Sequence, residues 1–133
     1  RVVRTYFLMY PDVCRNLQIE QRVEKLQSCA HAIFACSGDD IIVGFVFFYC
    51  NSDAQVGFIT SIGKLSSAEI GVGMLLHMQY QEFISLQGMR SSCLEVEKTN
   101  VRALSFYRKL GYFVYDEKEH SLLMKKEIQG DSP

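Results

Sequence analysis

The sequence predicts an α/β fold of the α+β kind, a mixed sheet with helices on its faces. Three observations predict it. Residues 41–49 are β-branched or aromatic almost throughout (Ile41, Ile42, Val43, Phe45, Val46, Phe47, Phe48), the pattern of a strand covered on both faces. Residues 71–87 place Val72, Leu75, Leu76, Tyr80 and Phe83 at helical spacing, one apolar stripe on a helix. Residues 93–97 then read as a strand that leads into Asn100, Ala103, Tyr107 and Leu110, spaced for a second short helix. The order expected is helices, three strands, a helix, a strand, a helix and two strands.

Each element has local reasons. Residues 1–10 are apolar and aromatic with weak helical spacing (Val3, Phe7, Tyr10), and Pro11 ends that element. Ile19, Val23, Leu26 and Ala30 recur at helical spacing, with Glu20, Arg22, Glu24 and Lys25 on the other side, so 18–29 is expected to be an amphipathic helix. A short apolar run, 31–36, ends at the turn signal Ser37, Gly38, Asp39, Asp40. Asn51, Ser52 and Asp53 make the next turn before a strand over 55–62, so two antiparallel hairpins are expected. Residues 63–69 are small and polar and read as a loop. Gly88 follows the 71–87 helix as a C-terminal stop, Asn100 is a helix N-cap, and Gly111 closes the helix after it. Residues 112–115 and 122–126 frame a charged turn and read as a final hairpin, and 129–133 as a loose C-terminal tail. The expectation is one domain over 1–128.

Bulk properties exclude several classes. The chain has 133 residues, 48% hydrophobic and 22% charged, the composition of a single globular domain that builds its own core. A formal charge of −1 and no run of Lys or Arg argue against nucleic acid as a partner. No apolar run nears the ~18 residues that span a bilayer, so no membrane segment is expected. Five cysteines, an odd number, with no Cys-x-x-Cys pair argue against a disulfide framework or a zinc knuckle. They read as free thiols in a reducing compartment, most simply the cytoplasm. His31, His77 and His120 are scattered, without a partner at metal-ligand spacing, and no metal is expected. No Ser-His-Asp arrangement is recognisable.

Two stretches carry chemistry. Gly71 and Gly73 sit where a strand and loop run into a helix. A helix start has four N–H groups without internal partners and a partial positive charge, and glycine lets a phosphate approach them without a Cβ in the way. The alternative is that these glycines only allow close packing of helix on sheet. The dinucleotide pattern GxGxxG fails, because Leu76 holds its third glycine position, and no P-loop Gly-Lys-Ser/Thr is present. In the second stretch Glu95 and Tyr107 offer a carboxylate and a phenol, and Glu97 shares a strand face with Glu95.

With these residues in place, the chain resembles the GNAT acetyltransferase superfamily from about residue 18 to Lys126. The resemblance rests on element order and two motifs. One is the acetyl-CoA pyrophosphate loop, Gln/Arg-x-x-Gly-x-Gly/Ala, with Gly71 and Gly73 in its glycine positions; its Gln/Arg position falls on Ala68, or on Glu69 if the loop is one residue short. The other is Leu94-Glu95-Val96, Asn100, Ala103, Phe106-Tyr107 and Leu110-Gly111-Tyr112.

The resemblance implies a GNAT-like fold: a central, mostly antiparallel sheet with one splayed strand pair and flanking helices. It implies acetyl-CoA as cosubstrate, its diphosphate at Ile70, Gly71, Val72, Gly73 and Met74 and its pantetheine arm along Ser61, Ile62, Gly63 and Lys64, with Asn100 adding a coenzyme contact. Tyr107 matches the general-acid tyrosine that protonates the departing thiolate; the alternative is a tyrosine packed on the core face of its helix. Glu95 matches a base that acts on the amine, usually through water; the alternative is a strand carboxylate held by its neighbours. The activity implied is N-acetylation of a primary amine of a small molecule or sugar, by direct attack in a ternary complex. The competing reading is a non-catalytic GNAT-like module that binds an acyl-CoA or another protein, motivated by Ala68 and Glu69. The acceptor and the oligomeric state stay open, a homodimer being the base-rate expectation.

Overall fold

The computed structural model describes residues 4–9, 30–37, 41–65 and 71–128. The helix expected at 18–29, the tail at 129–133, and Ala68, Glu69 and Ile70 lie outside the described residues. Among the described residues seven strands form one sheet: β1 Arg4–Met9, β2 Ala30–Cys36, β3 Ile42–Asn51, β4 Val56–Lys64, β5 Ser91–Glu97, β6 Phe113–Glu117 and β7 Ser121–Glu127. Helix α1 spans Val72–Leu86 and helix α2 spans Val101–Lys109. The spatial order is β1-β2-β3-β4-β5-β7-β6. All neighbours are antiparallel except β4 and β5, which run parallel because α1 connects them. No described helix is long and apolar enough to cross a membrane.

The first element is a correction. Arg4–Met9 is a strand, paired with β2 from Arg4↔Cys36 to Met9↔His31, where weak helical spacing suggested a helix. Thr5, Tyr6 and Phe7 suit a pleated surface, and the edge of β2 supplies the backbone partners that a short isolated helix lacks. The hairpins expected at the 37–40 and 51–53 turns are present as β2–β3 and β3–β4. The final hairpin is present as β6–β7. The loop read at 63–69 starts later than expected, since β4 runs on to Lys64.

Helix α1 lies across β2, β3 and β4 with Val72, Leu76, His77, Tyr80 and Ile84 buried. It sits close because of two glycines. A Cβ on Gly44 would stand 2.9 Å from Leu76 Cδ1, and one on Gly57 would stand 2.8 Å from Ile84 Cδ1; both are nearer than side chains tolerate. Phe47 and Phe48, successive residues on β3, are 1% and 0% exposed, so the sheet is covered on both faces there, as its unbroken apolar run implies. Helix α2 begins at Asn100, whose side chain accepts the Ala103 N–H at 3.1 Å. It ends with Arg108 and Lys109 in the last turn, where cations favour the helix dipole. Leu104 and Tyr107, three apart, face the core.

Through this core runs a chain of buried polar groups. Tyr80 Oη lies 2.6 Å from Ser92 Oγ, Ser92 Oγ lies 2.7 Å from Tyr112 Oη, and Tyr112 Oη lies 2.7 Å from His77 Nε2. It ties α1 to β5 and to the start of β6. Each group has a partner, as burial requires.

Candidate active site

The sheet opens where β4 and β5 part. Their ladder runs only from Val56↔Ser91 to Ile59↔Leu94. The cause lies on the other side of β4. In the β3–β4 ladder Phe47 pairs with Ser61 and Phe48 with Ile59, so Thr60 is an extra residue, a β-bulge that bends its strand. The Thr60 hydroxyl donates to the Phe47 carbonyl at 3.1 Å and fixes the bend. The bulge follows the last residue paired with β5, and beyond it the strands diverge around a cleft of about 380 Å³.

The cleft crosses the sheet. Side chains alternate along β5: Leu94 and Val96 are buried in the core, while Glu95 and Glu97 are exposed on the opposite face. Helix α2 packs on the core side and adds Asn100, Ala103 and Tyr107 to the lining. Phenol and carboxylates therefore approach the gap from opposite faces.

Tyr107 is 6% exposed and packs edge-on against Phe106 and Tyr112. Its hydroxyl makes no hydrogen bond to any described residue. It is not among the described side-chain atoms sealed from solvent without a partner, so it keeps access to the cleft. Burial pushes its pKa up to about 12, because the phenolate would lose its water. Both surroundings left open by the sequence apply: the ring belongs to the core and the hydroxyl to the cleft.

Glu95 has the surroundings of a carboxylate held by its neighbours. Ser121 Oγ donates to it at 2.5 Å and Lys118 Nζ stands 3.4 Å away. The Ser121 hydrogen bond, then Lys118, hold its pKa below the usual carboxylate value, which makes it a weaker base. Ser121 and Lys118 come from the last hairpin, and local sequence around Glu95 gives no sign of them.

The candidate phosphate site is the start of α1. Gly71 is its N-cap, with φ 96°, in the left-handed region. Among the described residues no side chain caps this end, and the first turn has no acidic residue. Leu75 N–H bonds to the Gly71 carbonyl, so the amides of Val72, Gly73 and Met74 precede the first intrahelical bond. A Cβ on Gly71 would meet nothing within 4 Å among the described residues. At Gly73 a Cβ would touch Phe106 of α2 at 3.5 Å, an ordinary contact, so this glycine also lies at the helix–helix approach.

Ser61 and Ile62 line the cleft; Gly63 and Lys64 continue β4 past it, paired with Phe45 and Gly44. Asn100 lines the cleft and caps α2 with the same side chain. The structure thus brings Tyr107, Glu95, Ser61, Ile62 and Asn100 to one cleft. The 71–74 turn stands apart from that lining.

A seven-stranded sheet with one parallel pair forking around a cleft, helix α1 crossing into that pair and α2 beneath it, is an architecture also found in solved proteins. The structure is similar to a protein assigned to the GNAT family of acetyltransferases from Desulfovibrio desulfuricans, at TM-score 0.81 and 14% identity over 96% of this chain and 100% of that one. It is similar to the PaiA N-acetyltransferase of Thermoplasma acidophilum, solved with coenzyme A, at TM-score 0.74 and 16% identity over 96% and 99%. It is also similar to nourseothricin acetyltransferase, at TM-score 0.68 and 22% identity over 77% of this chain and 67% of that one. No family model and no curated protein matches the sequence. The chain has the GNAT fold, the α/β mixed sheet that the resemblance implied.

Proposed function

We propose that the protein is an N-acetyltransferase that moves an acetyl group from acetyl-CoA to a primary amine of a small molecule or sugar. The observation that carries this reading is the Tyr107 hydroxyl, protonated, without a hydrogen-bond partner among the described residues and open to a cleft that crosses the sheet. The diphosphate rests on the amides of Val72, Gly73 and Met74, and the pantetheine arm runs along the β5-facing side of β4. The amine enters from the opposite face. Its nitrogen bonds to the acetyl carbon, the carbon–sulfur bond breaks, and the Tyr107 hydroxyl protonates the departing thiolate. The amine proton leaves to water in the open cleft, with Glu95 as its near carboxylate. The solved relatives named as acetyltransferases, one of them with coenzyme A, support the reading, and a protein with this chemistry is at home in the cytoplasm.

A second reading is favoured by one observation: Ala68 and Glu69 stand where the pyrophosphate loop has Gln or Arg. A module so built binds an acyl-CoA weakly or binds another protein, and does no chemistry. Thermal unfolding with acetyl-CoA separates the two. A ligand at a hundredfold its Kd stabilises by about 2.7 kcal/mol, so a transferase is expected to melt several degrees higher. A melting temperature unmoved at millimolar acetyl-CoA decides for the second reading.

The phosphate end has its own test. Gly71 has φ 96°, which a β-branched residue adopts only with strain. Gly71→Val is expected to weaken acetyl-CoA binding by roughly tenfold or more, through loss of the turn that presents the amides. Calorimetry on the folded variant checks it, and an affinity equal to that of the parent removes this turn from the coenzyme site.

A further inference from the structure

A second cavity, of about 470 Å³, opens between α1, the end of α2 and the end of β7. It shares no lining residue with the cleft of Tyr107. Met74, Met78, Leu110 and Ile128 give it apolar walls, and His77 and Lys126 also line it. Helical spacing explains the mixture. Met74 and Met78, one turn apart, are exposed on the outer side of α1, while His77 turns inward and is 1% exposed. Methionine is flexible and polarisable, and it adapts to apolar ligands.

Two polar groups here lack the partner that their chemistry calls for. The first is Lys126, half-buried. Its ammonium donates to Gln81 Oε1 at 2.7 Å, a neutral acceptor, and it forms no ion pair with a described residue. Burial lowers its pKa, as it does for a cation short of water and counter-charge. The second is His77. Its Nε2 lies 2.7 Å from Tyr112 Oη. Its Nδ1 has no hydrogen bond to any described residue and is not among the described atoms sealed from solvent without a partner, so it faces the cavity that the ring lines. With Tyr112 donating to Nε2, Nδ1 carries the ring proton. The charge of Lys126 acts on His77, so the two groups stand near each other. A cation and an N–H donor side by side call for an anion, and both cost stability until one meets them. Glu82 is the carboxylate among the described lining residues; it is exposed and does not pair with Lys126.

We propose that this cavity binds a short-chain alkyl carboxylate, its carboxylate met by Lys126 Nζ and His77 Nδ1 and its chain lying along Met74, Met78 and Leu110. The site goes beyond the transferase reading and does not depend on it. The probes are hexanoate and its neutral counterpart n-hexanol. Protein labelled at the methionine methyls reports binding by NMR, and calorimetry gives the affinities.

Hexanoate is expected to shift the Met74 and Met78 methyl signals saturably and to leave in place those of Met89 and Met124, which belong to the core. The parent is expected to bind n-hexanol at least tenfold more weakly, because a hydrogen bond to a charged group is worth about 1.5–3 kcal/mol. Lys126→Met keeps the stem that lies beside Gly111 and removes the charge; its melting curve verifies that it folds. This variant is expected to bind hexanoate at least tenfold more weakly than the parent does, with n-hexanol changed by threefold or less. No saturable shift at Met74 and Met78, or n-hexanol bound as tightly as hexanoate by the parent, overturns the proposal whatever the variant does. A hexanoate affinity unchanged in folded Lys126→Met overturns it as well.

Discussion

Tyr107→Phe is expected to lower kcat by about a hundredfold while acetyl-CoA binding changes by no more than a few fold. The magnitude follows from the 10²–10⁴-fold usually supplied by a positioned acid. The selectivity follows from position: the phenol contributes packing through its ring, against Phe106 and Tyr112, and phenylalanine keeps that packing. What the variant loses is a hydroxyl that bonds to no described residue, so no hydrogen bond among those residues is lost. Only a step that uses the proton is affected. The raised pKa, about 12, gives a second expectation. The phenol stays protonated throughout the range in which the protein is assayed, so kcat of the parent shows no alkaline decline from this group below about pH 11. Steady-state kinetics on both proteins test this, and turnover unchanged in Tyr107→Phe removes Tyr107 from the general-acid role.

How much of this was legible in sequence depends on how local its cause is. The hairpins were legible because turn residues announce them: Asn51 caps its turn through the Ala54 N–H. Helix α2 was legible because Asn100 and Gly111 mark its ends, and Gly111 takes the positive φ, 103°, that such an end calls for. Strand β1 was not, since its pairing partner lies 22 to 32 residues away along β2. The surroundings of Glu95 were not legible either. Its Ser121 and Lys118 partners lie 26 and 23 residues on, and they turn a candidate base into a held carboxylate. The fork between β4 and β5 came from the resemblance; its cause, the extra residue Thr60, shows only in the register of two ladders. Ala68, Glu69 and Ile70, which bear on the loop's departure from the family pattern, lie outside the described residues.

The least legible feature carries the other large expected effect. Nothing in the sequence joins His77, Tyr80, Ser92 and Tyr112, which are up to 35 residues apart. They meet because helix α1 buries its polar positions against β5, where Ser92 is 0% and His77 1% exposed. Burial first, and the charge of Lys126 second, lower the His77 pKa from 6.5 to about 4, since an imidazolium there would lose its water next to another cation. His77 is thus neutral in the folded protein near pH 7.

The sign of the linkage follows. Between pH 6.5 and about 4 the unfolded chain binds a proton at this residue and the folded chain does not. The contribution is complete above the unfolded value and is lost as pH falls through the folded one. A shift from 6.5 to about 4 corresponds to a loss of about 3 kcal/mol across that window, a large part of the 5–15 kcal/mol stability usual for a domain. His77→Gln removes the titration. The variant is expected to start less stable at pH 7 by about 1–3 kcal/mol, because Tyr112 loses a buried partner. It is also expected to lose less than the parent between pH 6.5 and 4. Glu95, whose pKa is lowered, adds an acid-side loss common to both proteins, so the difference between the two curves isolates His77. Urea unfolding at half-unit steps of pH measures it. Parallel curves would mean that His77 is protonated in the folded state, and that the hydrogen-bonded chain from α1 to β5 tolerates a charge in the core.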